Sequence, residues 1–172
     1  MTEEHITEDR EDAPAPAQAE ADWLRLDNQI CFALHAASRA FTALYREALD
    51  ELGLTYSQYL VMLVLWEHGA LPVKRIGEHL RLDSGTLSPL LKRLEANGLV
   101  VRERSAADER SVTVRATAAG AALRERAAAL PGRVVGATGL DLAEVTELRD
   151  RINRLTRALD AAALHGSPAD CG

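Results

Sequence analysis

The sequence predicts a mainly α-helical fold with a small β wing, and three features of its patterning carry that expectation. Apolar residues recur every three or four positions through residues 22–52 and again over 118–164, the period of amphipathic helices. Two short helical stretches, one over Val73–Leu80 and one ending at Ala96, are separated only by the tight turn Arg81-Leu82-Asp83. Directly after the second, the period changes to that of a strand. Leu99–Arg104 and Ser111–Arg115 are β-branched runs on either side of the polar segment Ser105–Arg110, the pattern of a hairpin. Helix, turn, helix and hairpin in that order make a winged helix-turn-helix.

Each element has its own local signals. Residues 1–21 combine acids with Ala13-Pro14-Ala15-Pro16-Ala17 and lack apolar periodicity, so they are expected to form a disordered acidic tail. From Asp22 a helix is expected to run to Gly53, its apolar positions including Leu26, Ile30, Leu34, Phe41, Leu44 and Leu52. At near thirty residues it is too long for a small core to cover, so it should pack against something outside its own domain. Thr55 reads as the N-cap of an apolar helix from Tyr56 to about Glu67, closed by Gly69. Pro72 opens the next helix. Ser84 is expected to cap Gly85–Ala96, with Leu87, Leu90, Leu91 and Leu94 inward and Asn97-Gly98 as terminator. Thr117 should cap a helix to about Leu130, broken by Pro131-Gly132, and Leu142–Leu164 reads as a last amphipathic helix before a flexible tail, 165–172. The expected division is a winged helix-turn-helix over 55–117 and a helical dimerisation region from 22–54 and 118–164.

A chain of 172 residues and 18.7 kDa is long enough for one cored domain. Its longest apolar run, Tyr59–Trp66, is far short of the ~20 residues that span a bilayer. The acidic start Met1-Thr2-Glu3-Glu4 is unlike a signal or transit peptide, and two cysteines cannot build a secreted disulfide framework. A soluble cytoplasmic protein with no membrane partner is therefore expected. The net charge of −6 at first argues against nucleic acid, but it is unevenly spread. Residues 1–30 hold nine acids against two bases, whereas 74–115 hold nine bases against six acids. A basic middle in an acidic chain points to DNA.

The exposed face of the second helix would offer Ser84, Thr86, Ser88, Lys92 and Arg93. Small hydroxyls near its N-terminus suit base edges and phosphates, and Lys92 and Arg93 suit the DNA backbone. Pro89 is expected in the first turns, where its missing N–H costs least and its ring can meet thymine methyls. Arg104 and Arg110 border the wing tip, placed for a narrow minor groove, with Asp108 orienting Arg110 through a charge-assisted hydrogen bond.

These residues resemble the MarR family of winged-helix repressors, through the helix-turn-helix, Asp108-Glu109-Arg110-Ser111 and the strand closing on Ala116-Thr117. More narrowly, Leu26–Leu34, Leu54–Leu60, Leu65–His68, Leu82–Arg93 and Asp108–Val112 resemble its organic hydroperoxide sensor branch, OhrR, over about residues 24–160. The resemblance implies a homodimer on an inverted repeat of double-stranded operator DNA, repressing until a cysteine is oxidised by an organic hydroperoxide. It implies no cofactor.

Taken alone, a cysteine at an apolar helical spacing such as Cys31 is a small inert core residue. Its neighbours change the weighing. His35 lies one turn on, at i+4, and Phe32 and Phe41 offer an apolar wall for a peroxide's organic tail. Tyr45 and Tyr56 are phenolic donors, but Tyr45 stands fourteen residues from Cys31 on one helix, roughly 21 Å at 1.5 Å per residue. Contact would therefore need Tyr45 of a second subunit. The resemblance agrees, since the matching family tyrosines hydrogen-bond the sensing cysteine across the dimer interface. The family usually has a third tyrosine where this chain has His35, which reads equally as a donor that makes reactivity pH-dependent or as a tolerated interfacial residue.

Cys171 lies in the tail, outside the helix where two-cysteine relatives carry their resolving thiol, so one-cysteine behaviour is expected, completed by a low-molecular-weight thiol or by overoxidation. Three rivals remain: a thiol peroxidase, a metal site using Cys31 and His35, and a MarR repressor induced by a small aromatic ligand. No nucleophile elbow, phosphate loop, HExxH or paired CxxC supports an enzyme, and no third ligand at zinc-like spacing supports a metal.

Overall fold

The computed structural model describes residues 23–104 and 111–165. The chain divides into two compact units whose boundary, between Arg39 and Ala40, falls inside the first long helix.

In the N-terminal unit a turn and a single 3-10 turn, Leu26–Asn28, precede helix α1, Ile30–Asp50. The expected start at Asp22 is thus corrected: α1 has 21 residues. Gln29 is the reason. Its backbone is extended (φ −89°, ψ 107°), and its carbonyl accepts the Ala33 N–H at 3.1 Å, so the helical ladder begins here.

The larger unit holds the rest. Helix α2, Tyr56–His68, starts at Thr55 as expected, in a capping box where Thr55 and Gln58 satisfy each other's N–H groups. It ends at Gly69, whose φ of 74° few other residues would accept. Helices α3, Val73–Leu80, and α4, Ser84–Ala96, form the helix-turn-helix. The turn is tight because Gly77 lets the chain fold back: its carbonyl accepts the Leu82 N–H at 2.9 Å, and a Cβ there would lie 2.7 Å from the Leu82 oxygen. Arg81 takes the left-handed backbone (φ 54°), and its guanidinium reaches Asp160 on the last helix at 2.7 Å.

Strands β1, Leu71–Pro72, β2, Val100–Arg104, and β3, Val112–Ala116, form an antiparallel sheet in the order β1-β3-β2. The hairpin is where the sequence put it, with Arg104 opposite Val112. The third strand was not expected. Pro72 both pairs with Thr113 and caps α3, so two residues serve as edge strand and helix start.

Helix α5, Ala118–Ala127, is capped by Thr117, and α6 spans Leu130–Ala137. The expected helix to about Leu130, broken at Pro131-Gly132, is corrected: α5 already ends at Ala127, and Pro131 stands in the first turn of α6, a helix the sequence pattern did not predict, where a proline's missing N–H costs nothing. Helix α7, Leu142–His165, completes the described chain. The core gathers around α2: Leu49, Val61, Met62, Ile76, Leu94 and Val114 are all 0% exposed. No helix among the described residues is long and apolar enough to cross a membrane.

Candidate DNA interface and thiol site

Asp83, and not Ser84, caps α4: its carboxylate accepts the Thr86 N–H at 2.9 Å and the Thr86 hydroxyl at 2.9 Å. Those bonds, the backbone one foremost, hold the Asp83 carboxyl below its ordinary value. Ser84 becomes the first helical residue, exposed. Ser88 is half-buried and donates to the Ser84 carbonyl at 2.6 Å. Pro89 sits deeper than expected, at the sixth helical position, where it cannot return an N–H to the Gly85 carbonyl. Its ring is exposed, as are Lys92 and Arg93, while Leu87, Leu91 and Leu94 face the core.

The wing is tied to this helix. Arg102 on β2 holds Glu95 on α4 through Nε at 2.8 Å and Nη2 at 2.6 Å, and that bond keeps the Glu95 carboxyl below its ordinary value. Arg104 is exposed at the end of β2; Asp108 and Arg110 lie outside the described residues. Lys74, like Arg102, has no role predicted from the sequence. Lys74 lines a cleft of about 420 Å³ with Ser88, Arg102 and Ser111, between α3, α4 and the wing. Its only signal was membership of the basic middle.

In the N-terminal unit, Cys31 is the second residue of α1 and is exposed. Its thiol faces the Gln29 side-chain oxygen at 3.8 Å, and the Gln29 amide donates to the Trp23 carbonyl. Phe32 is 43% exposed, and His35 is exposed one turn on. Phe41, 38% exposed, and the tyrosines belong to the larger unit. There Tyr45 and Tyr56 come together, ring centroids 4.7 Å apart, and Tyr59 adds a third ring 5.7 Å from Tyr45. Tyr59 continues to Trp66 at 6.2 Å, edge to face, and Trp66 donates to the Gly120 carbonyl at 2.9 Å. Burial pushes all three phenols above their ordinary value, so they stay protonated donors. Tyr59 carries no signal of its own in the sequence, because it opens the apolar run Tyr59–Trp66 and reads as core. Among the described residues no three His, Cys, Asp or Glu side chains are grouped to hold a metal.

Residues 43–126 match the family model of the SarA/Rot transcriptional regulators. The chain is 46% identical over 138 residues to the organic hydroperoxide resistance transcriptional regulator of Bacillus subtilis, a match covering 80% of this chain and 94% of that one. The chain belongs to the MarR family. Within that family of winged helix-turn-helix DNA-binding repressors, it lies in the OhrR-like branch, which senses organic hydroperoxides through cysteine oxidation; it is a regulator and not an enzyme. Solved MarR-type structures agree. Reduced AbfR bound to DNA, from Staphylococcus epidermidis, superposes with a TM-score of 0.67 at 37% identity, covering 78% of this chain and 94% of that one. Disulfide-formed AbfR gives 0.56 at 37% identity, covering 81% and 92%.

Proposed function

We propose that a homodimer of this chain binds inverted-repeat operator DNA while Cys31 is reduced, and releases it when an organic hydroperoxide oxidises Cys31. The observation that carries this reading is the exposed thiol in the first turn of α1, where a core cysteine would be covered. The thiolate attacks one peroxide oxygen; the S–O bond forms, the O–O bond breaks, and the other oxygen leaves as the alcohol after taking up a proton. The resulting sulfenic acid condenses with a low-molecular-weight thiol, forming S–S and releasing water. Cys171 lies outside the described residues, and we assign it no resolving role.

Fourteen positions along one helix separate Cys31 from Tyr45, so in this reading the Tyr45–Tyr56 pair of the partner protomer hydrogen-bonds the thiolate. His35 stands on the thiol's own helix face as a further donor, and Phe32 and Phe41 offer apolar surface to the peroxide's organic group. The dimerisation region comprises 22–54 and 118–164, and the DNA-binding domain 55–117. Exposed Leu148, Ile152 and Leu159, at spacings of four and seven on α7, supply an apolar stripe that suits a second copy. Oxidation replaces phenol–thiolate bonds with a bulkier sulfur, shifting the long helices. The two α4 helices then no longer fit half-sites about 34 Å apart. On the DNA, α4 presents Ser84, Thr86, Ser88, Pro89, Lys92 and Arg93, and the wing presents Arg104.

Electrophoretic mobility shift with the DNA upstream of the chain's own gene, with and without cumene hydroperoxide, tests this. The parent should release on treatment, and Cys31→Ser should bind and stay bound. Release of Cys31→Ser by peroxide would instead favour a small-molecule inducer. The cleft of about 580 Å³ lined by Tyr59, Leu63, Trp66 and Arg124 would be its place.

A further inference from the structure

Two of the three hydroxyl protons on the recognition helix, those of Thr86 and Ser88, are already committed inside the protein. Thr86 Oγ1 lies 2.9 Å from Asp83 Oδ2. That carboxylate also takes the Thr86 N–H at 2.9 Å and is ionised at neutral pH, so it has no proton to give. Thr86 must be the donor. Ser88 Oγ lies 2.6 Å from the Ser84 carbonyl, which can only accept, so Ser88 must donate too. Toward solvent each hydroxyl is left with lone pairs alone. Thr86, Pro89 and Arg93 stand at i, i+3 and i+7, all exposed, on one face of α4.

The major-groove edges of the four bases differ in polarity. Adenine N6 and cytosine N4 donate, whereas guanine (O6, N7) and the thymine carbonyl only accept. We infer that Thr86 reads its operator as an acceptor, selecting adenine or cytosine on the contacted strand, with Asp83 setting that polarity and Ser88 sharing it. The inference deepens the DNA-binding reading and rests on it. Asp83 is then more than a helix cap. An asparagine there keeps the bond to the Thr86 N–H through its oxygen but offers its NH₂ to Thr86 Oγ1, freeing the hydroxyl proton to point outward.

The test selects sites from a random duplex pool with the reduced full-length protein, then repeats the selection with Thr86→Val, Thr86→Ser and Asp83→Asn. The parent should enrich adenine or cytosine at one position per half-site. Thr86→Val should lose that preference and Thr86→Ser restore it. Removing the exocyclic amine there, with purine for adenine or 2-pyrimidinone for cytosine, should weaken the parent about tenfold and leave Thr86→Val unchanged. Asp83→Asn should move the preference toward guanine or thymine. Guanine or thymine at the Thr86-dependent position, or a parent indifferent to loss of the amine, overturns the assignment while leaving DNA binding intact. A pool that never enriches, with the protein folded by circular dichroism, overturns both readings.

Discussion

At Gly120 one hydrogen atom marks the limit of what the fold tolerates. A Cβ there would stand 2.0 Å from the Leu99 carbonyl oxygen, which is backbone and cannot swing away. Gly120→Ala should therefore cost about 3 kcal/mol or more, read as a lowered urea midpoint. Gly136 is the control: it lies inside α6 with nothing within 4 Å of its would-be Cβ, so Gly136→Ala should stabilise by about 0.5–1 kcal/mol in the same assay. The tyrosines predict a pH dependence. Burial raises the phenols of Tyr45, Tyr56 and Tyr59, so their contribution to stability is fully present below the ordinary phenol value near 10. It is lost as pH rises through the higher folded-state values. Absorbance at 295 nm should show all three ionising late, together with unfolding. Of these features, only the candidacy of Tyr45 and Tyr56 was legible in the sequence. The clash at Gly120 depends on Leu99, just before β2 and twenty-one residues earlier in the chain.

Among the elements, α4 is held on two sides. Leu94, 0% exposed, anchors it to the core, and Leu94→Ala should cost about 3 kcal/mol in denaturant melts. On the other side the two-point Arg102–Glu95 bond joins α4 to β2. Arg102→Met should free the wing, seen as several-fold faster amide exchange in β2 and β3 with α2 unchanged. The Arg81–Asp160 pair is more exposed, and removing it should move stability by less than about 1 kcal/mol. Helix starts at Thr55 and Thr117 were legible because a cap is a local contract between residues three apart. Strand β1 was not. Two residues, one of them proline, make a strand only when β3 lies alongside to accept them. The cap of α4 was misplaced by one residue because Asp83 and Ser84 are both good caps, and only the hydrogen bonds choose between them.

At the scale of the whole molecule, the single chain leaves much apolar surface uncovered on α7. Ile152→Glu should give a folded monomer by sedimentation and lower operator affinity at least tenfold, because two half-sites would then be bound without linkage. The acidic residues 1–21 read as solubilising, so their removal should leave nonspecific DNA binding and its salt dependence unchanged; stronger binding at low salt would show that they compete for the basic face. What the sequence by itself determined is the order of the helices other than α6, the wing hairpin, the basic middle and the Cys31 thiol near the start of α1. These follow from periodicity, caps and charge, which act between near neighbours in the chain. Only the tertiary structure decided that Tyr45, Tyr56, Tyr59 and Trp66 form one aromatic cluster ending on Gly120, and that β1 completes the sheet. The Trp66–Gly120 bond and the β1–β3 pairing join segments far apart in the chain, and the Tyr45–Tyr56 contact joins two different helices, so no local pattern names the partner.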